Sequence, residues 1–349
     1  MHRAVACSDK FRGSLRAAEA TAAVAAGLAR AGFDDVHEVP LADGGEGTLD
    51  ALLAARGGSR RKARVTGPLG EHVDADWGAV GGTAIVEMAQ ASGLALVGTR
   101  NDPLRASTRG TGELIAAARR EGFSKIVVAV GGSATTDGGL AAVEALGWSL
   151  RGVDVTVACD VTTPFLDAAR VYGPQKGASP AQVSLLTRRL ERLAATFAER
   201  TGVDVTALEG GGAAGGLAGG LAAIGARLVP GFDVVAELVG LERAMEGAEL
   251  AVTGEGKLDA TSLAGKVVGG VLDWSADVGV PRVGVVAGQV TDEASAALAD
   301  RDDVCVLALT DRVWQASETY TRTSLLVTEA ATEAGRWALS GATRDRPPS

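Results

Sequence analysis

The chain has 349 residues, 46% hydrophobic but only 4% aromatic, with 48 glycines and a formal charge of −9. An acidic balance without a basic stripe excludes the usual nucleic-acid binder. Three widely spaced cysteines, Cys7, Cys159 and Cys305, exclude a disulfide frame and a CxxC metal site. No apolar leader opens the sequence and no apolar run is long enough to span a membrane, so a cytoplasmic protein of about two domains is expected.

Short β-branched runs alternate with Ala/Leu-rich stretches, the pattern of parallel α/β architecture. Residues 3–7 read as a strand, followed by the loop 8–13 and a helix from near Ser14 to Gly32. Residues 36–41 are a second strand, after which Thr48 caps a helix. Short strands at 64–65 and 73–77 flank a Gly-Pro-Leu-Gly turn, and 84–88 is an apolar strand or helix start carrying Glu87. A helix over 112–121 precedes a buried strand at 126–130, a Gly-rich loop at 131–139 and a helix at 140–146. The strand 153–159 delivers Asp160, and 180–201 is a charged helix. Residues 209–220 are too small-sided for a core strand and suit a close-packed loop–helix. A strand at 250–252 leads into a charged loop, 282–287 and 304–309 are the last strands, and the tail 343–349 reads as disordered.

Asp9, Asp43, the Gly131 loop, Asp160 and the Gly254 loop all follow the carboxyl ends of expected strands. Ligands of open parallel sheets bind at that edge. Residues 126–139, IVVAVGGSATTDGG, have the strand–glycine–helix layout that offers backbone N–H groups to an anion, and read as a phosphate loop that binds the nucleotide cofactor through Gly131, Gly132, Ser133, Ala134 and Thr135. The plainer alternative is a turn capped by Asp137. Residues 253–266, TGEGKLDATSLAGK, combine Glu255 and Asp259, suited to a divalent metal, with Lys257 and Lys266, suited to phosphoryl oxygens. A solvated charged loop is the alternative there. LADGGEG places Asp43, Gly44 and Gly45 where one small ligand could meet them. Arg109 opens a helix and could grip a carboxylate, and YGPQKGA offers Lys176. None of the three histidines lies in a motif, so base chemistry falls to a carboxylate, with Asp160 the best placed. A Walker A loop, a strand-linked GxGxxG and a Gly-x-Ser-x-Gly elbow are all missing.

Taken in order, SDKFRGSL, PLADGGEGT, EMAQASGL, TRGTGELI, GGSATTDGG, ACDV…GPQKGA and TGEGKLD…GK resemble the bacterial glycerate kinase family, of the glycerate 2-kinase type, over about residues 3–290. The resemblance implies transfer of the ATP γ-phosphoryl group to D-glycerate, giving 2-phosphoglycerate, with ATP and Mg2+ as cofactors. It implies two α/β domains with parallel or mixed sheets, Rossmann- or flavodoxin-like, and an active site in the interdomain cleft. Residues 1–62 and 262–349 would form the discontinuous Rossmann-like domain and 63–261 the inserted one. Arg12 stands where the family usually has lysine, and Thr162–Leu166 replaces its Asn-Pro-Leu segment. The expected partner is the small-molecule substrate D-glycerate, without nucleic acid or membrane, and a homodimer is an allowed state. Two alternatives share the motifs: a kinase of another small hydroxy acid, and a non-catalytic metabolite-binding protein.

Overall fold

The computed structural model describes residues 1–313 and 318–340; the tail 343–349, expected to be disordered, lies outside the described residues. In chain order the strands are β1 Arg3–Ala6, β2 Asp35–Glu38, β3 Ser59–Thr66, β4 His72–Val80, β5 Thr83–Glu87 and β6 Lys125–Ala129. They continue as β7 Asp154–Ala158, β8 Arg227–Val229, β9 Leu250–Leu258, β10 Val283–Val290 and β11 Val304–Ala308. They form two sheets in two compact units: residues 1–43, 50–56 and 232–349 in unit 1, and 44–49 and 57–231 in unit 2. The later division thus falls at Gly231/Phe232, where the sequence placed an approximate boundary near 262. Among the described residues no helix is long and apolar enough to cross a membrane.

The unit 1 sheet has the order β11-β10-β9-β1-β2, with every neighbouring pair parallel. Its central strands are buried apolar runs, as expected where helices cover both faces of a sheet. The first helix, Ala17–Ala31, begins later than Ser14. Ser14 instead closes a tight turn, its N–H and Oγ both bonded to the Phe11 carbonyl. The helix starts after Arg16, whose N–H donates to Glu19 Oε2 at 3.0 Å. Gly32, at φ 112°, takes the left-handed conformation that ends it.

With few aromatic residues to fill space, unit 1 brings helices into near contact. A Cβ on Gly27 would stand 2.4 Å from the Thr328 carbonyl oxygen, and one on Gly335 2.5 Å from Ala31 Cβ. Thr328 Oγ1 donates across the pair to Ala23 O at 3.1 Å. The Ala17–Ala31 helix and the Thr323–Ser340 helix therefore meet backbone to backbone.

β9 corrects the sequence reading of its segment. The strand does not stop at Val252 but runs to Leu258, so Thr253–Lys257 is extended backbone. Pairing decides this: Gly254, Glu255 and Lys257 lie opposite Val286, Ala287 and Gln289 of β10. A Cβ on Gly254 would come within 2.2 Å of Val286 O, and one on Gly288 within 2.3 Å of Gly256 O. Glycine here permits close strand approach instead of making a turn.

The unit 2 sheet has the order β3-β4-β5-β6-β7-β8, antiparallel from β3 to β5 and parallel from β5 to β8. The helix Pro180–Thr201 starts at a capping box, Ser179 Oγ accepting from Gln182 N while Gln182 Oε1 accepts from Ser179 N. Residues 209–220 are the close-packed loop–helix their composition implies. Ala214, Gly215 and Gly216 have positive φ, and a Cβ on Gly215 would fall 2.0 Å from Thr135 O.

Gly27→Leu should destabilise unit 1 by about 1–3 kcal/mol through overpacking against the Thr328 backbone. Urea unfolding followed by circular dichroism checks this; unchanged stability would mean that the two helices can part without loss.

Candidate active site

A cavity of about 670 Å³ opens at the carboxyl ends of the unit 1 strands, and all its lining residues belong to that unit. β1 leads into the Asp9–Ser14 loop, which is laced to β9: Asp9 N–H donates to Gly254 O at 2.9 Å and Ser8 Oγ to the same carbonyl at 3.0 Å. The loop contributes Asp9, Lys10 and Arg12, and the residues after β2 contribute Asp43. β9 and its connection contribute Glu255, Lys257, Asp259, Ser262 and Lys266. The four predicted residues of TGEGKLDATSLAGK are thus gathered with Asp43 in one cavity.

The carboxylates there differ in environment. Desolvation pushes Asp9 up to about 6; the Asp43 charge adds to this, while Lys10 and Arg12 oppose it. Desolvation pushes Glu255 up to about 7, with Asp9 and Asp259 adding to the rise and Ser262 and Lys266 opposing it. Glu255 Oε1 is shielded from solvent and has no hydrogen-bond partner among the described residues. Asp259 lies below the usual range, held mainly by the Thr261 hydroxyl at 2.7 Å. Its Oδ1 also accepts from Thr261 N at 3.0 Å, and its Oδ2 is 3.9 Å from Lys257 Nζ. Lys266 Nζ donates to Thr261 Oγ1 at 3.0 Å. Asp259 is therefore committed to its own turn, whereas Glu255 presents an oxygen that nothing satisfies.

The remaining predicted residues lie in unit 2. Gly231 N–H donates to Asp160 Oδ1 at 2.7 Å, fixing that carboxylate after β7. Gly44 packs against Ala158 and Gly231, and a Cβ on Gly131 would come within 2.9 Å of Gly45 Cα. The ends of β6 and β7 and the Gly44–Gly45 turn therefore meet at one edge of this sheet. Glu87, at the end of β5, accepts from Gly47 N and Leu49 N and anchors the start of the Thr48–Arg56 helix.

Within the Gly131–Thr135 loop, Gly131, Gly132 and Ser133 reach solvent, while Ala134 and Thr135 are sealed. Ala134 N–H is already spent on Ser92 O. Asp137 is the cap of the plainer reading: it accepts from Thr108 N, Thr108 Oγ1 and Gly139 N, and desolvation raises its pKa. Lys176 is buried, 3% exposed, with Nζ donating to Thr135 O at 2.6 Å. Desolvation draws its pKa down to about 7, against the Asp137 charge. Arg109 is held by Glu113 at 3.1 Å with half its side chain exposed.

Comparison with known proteins matches residues 4–152 and 149–339 to the model of the glycerate kinase family. The chain belongs to the glycerate kinase family. It is 40% identical over 328 residues to the glycerate 2-kinase of Escherichia coli K12, covering 83% of this chain and 86% of that protein. It is 37% identical over 327 residues to the glycerate kinase of Bacillus subtilis 168, covering 82% and 85% of the two chains. A crystal structure from Salmonella typhimurium LT2 that carries the name glycerate kinase 2 superposes with a TM-score of 0.81 at 33% identity, covering 97% of this chain and 99% of that one.

A glycerate kinase works on phosphates, and the donor set suits a metal–phosphate assembly. Among the described residues no three His, Cys, Asp or Glu side chains converge as a ready cage. Mg2+ needs none, because it binds through one or two carboxylates with phosphate oxygens and water. The unsatisfied Glu255 Oε1 beside the desolvated Asp9 fits that demand. Sequence reasoning gave Asp9 no role, although the strand-end rule had already pointed to its position.

Raised carboxyl pKa values mean that the folded state holds protons the unfolded chain releases. Their contribution is complete below about pH 4 and is lost as pH rises through about 6 for Asp9 and about 7 for Glu255. In metal-free buffer Glu255→Gln should therefore melt a few degrees above the parent at pH 8, with the gap closing near pH 4. Parallel melting curves across that range would rule out a desolvated carboxyl at this position.

Proposed function

We propose that the chain is a cytoplasmic D-glycerate kinase that takes the γ-phosphoryl group of Mg-ATP and yields 2-phosphoglycerate. One observation carries the assignment of roles: the unit 1 cavity joins lysines to desolvated carboxylates at the edge of a parallel sheet, in a member of the glycerate kinase family. Phosphoryl transfer asks the protein chiefly for positioning and charge stabilisation.

In this reading the phosphates lie in the cavity. Lys257 and Lys266 offset the charge that builds on the transferred group. Glu255, with Asp9 and Asp259 near it, would hold Mg2+, which when bound neutralises phosphate oxygens and fixes their geometry. The Gly131–Ser133 tip is assigned to the hydroxy acid, whereas the nucleotide phosphates of the phosphate-loop reading are assigned to the lysines of the unit 1 cavity. Asp43 stands with the charged residues of the cavity. Lys176 supports the loop from beneath through Thr135 O, and Arg109, committed to Glu113, is given no direct role.

Asp160 is the proposed base for the attacking hydroxyl. The bond from Gly231 N fixes the direction of its carboxylate, and a base must be held still to reach a proton at hydrogen-bond distance.

ADP release with Mg-ATP and D-glycerate, together with phosphorus NMR of the product, tests the proposal. It predicts rapid release and a phosphate on the 2-position; a 3-phosphate would overturn the regiochemistry, and turnover only with another hydroxy acid would overturn the substrate. Asp160→Asn should lower kcat by about two orders of magnitude or more. Near-parental kcat in that variant would remove Asp160 from the chemistry.

A further inference from the structure

The unit 1 cavity is larger than a three-carbon acid needs, and its chemistry is divided by the order of the sheet. Among the described residues, every charged residue lining it comes from β9 itself or from the connections after β9, β1 and β2. Among the described residues, those that line it from the connection after β11 are Leu309, Thr310, Thr319, Tyr320 and Thr323, none of them charged. Gly288 and Gln289 at the end of β10 lie between the two regions in the strand order. From β11 to β1 is three strand intervals of about 4.8 Å, or roughly 14 Å. A ligand with an ionic end and a long neutral end matches that layout.

Tyr320 is the unusual member of the neutral flank. The chain has only two tyrosines. Tyr172 uses its hydroxyl internally, 2.8 Å from Thr163 Oγ1. Tyr320 instead leaves 65% of its surface exposed while lining the cavity, so packing does not account for it. Its position is nonetheless fixed: Thr323 Oγ1 donates to Tyr320 O at 3.2 Å and to Thr319 O, tying the short helix Glu318–Thr321 to the Thr323–Ser340 helix. A Cβ on Gly13 would stand 3.9 Å from Tyr320 Cε1, which places the ring edge beside the loop that carries Lys10 and Arg12. An anchored backbone with an open aromatic face is what a stacking platform requires.

We infer that the neutral flank of the unit 1 cavity is a nucleobase subsite, with the base of the phosphoryl donor stacked on Tyr320 and its phosphates toward Lys257 and Lys266. The inference rests on the proposed use of ATP and adds to it the position and orientation of the nucleotide. Glycerate has no ring to stack, so the subsite acts on the donor alone.

Calorimetric titration of the full chain with ADP and with inorganic tripolyphosphate, beside steady-state kinetics, tests it. Tyr320→Ala should weaken ADP binding and raise the KM for ATP by about 5- to 150-fold, the span of one base–aromatic stack. Tripolyphosphate binding and the KM for D-glycerate should stay within about twofold of the parent. Tyr320→Phe, which keeps the ring, should behave as the parent. Equal loss of ADP and tripolyphosphate, no loss of either, or a Tyr320→Phe defect as large as that of Tyr320→Ala would overturn the subsite. Tyr320 is exposed, so an unchanged melting temperature is expected and separates lost stacking from lost fold. Parental protein that turns over D-glycerate yet binds no ADP would overturn the nucleotide reading itself, and the subsite with it; ADP binding that survives Tyr320→Ala would overturn the subsite alone.

Discussion

Parallel pairing imposes one consequence on unit 1 from which the rest follows: each strand must be re-entered from the same side. All five carboxyl ends therefore emerge along one edge, and whatever polar residues follow the strands are brought together there. Asp9 and Asp43 are far apart in sequence, yet each follows such an end, and Glu255 joins them from the last residues of β9. None needs a fold of its own to meet the others. Once neighbouring strands are in register, their ends converge, and the desolvation that lifts Asp9 and Glu255 is part of that convergence.

Close backbone approach is the means by which a chain with so few aromatics reaches that register. The contacts at Gly27, Gly254, Gly288 and Gly335 leave no room for a Cβ, so helices and strands are drawn nearer than side chains would allow. At β9 this has a direct consequence for the site. Gly254 and Gly288 let β9 continue beside β10 through residues that would otherwise turn, so Glu255 and Lys257 sit on extended backbone tied by the sheet. Groups meant to stabilise transferring charge work best when they need no reorganisation, and a strand holds them better than a free loop.

The alternation of strands and helices was legible because buried parallel strands and Ala-rich helices have different hydrophobic periods. The strand-end rule recovered most of the charged cavity, and the ordered motifs by themselves pointed to the family. The strand nature of Thr253–Leu258 was not legible. Two glycines, a glutamate and a lysine argue against a strand by propensity, and only pairing with Val283–Val290 overrides that preference. Nor could the sequence say that Lys176 is buried, because the segments that cover it, including Asn101 and the Ala134–Thr135 backbone, are distant in the chain. Tyr320 escaped for the same reason: an exposed tyrosine has no local signature, and only the flank on which it lies gives it meaning.

The acids at the strand ends are used in two contrasting ways. In unit 2, Asp137 accepts three hydrogen bonds and Lys176 donates to a main-chain carbonyl, so both are spent inside the architecture beneath the Gly131–Ser133 tip. Such groups hold a loop in shape but have little left to offer a ligand. In unit 1, Glu255 retains an unsatisfied oxygen, and Asp9 is held in a desolvated setting beside Asp43. Leaving a carboxylate so poorly compensated costs stability at neutral pH, and a fold keeps such a cost where a cationic ligand can offset it. The same motif chemistry, glycine with an acid at a strand end, thus yields a structural cap in one unit and an unmet demand for positive charge in the other. The difference lies in how fully the surroundings donate: Asp137 accepts from Thr108 and Gly139, Asp9 from Lys10 N at 2.7 Å, and Glu255 Oε1 from no group among the described residues.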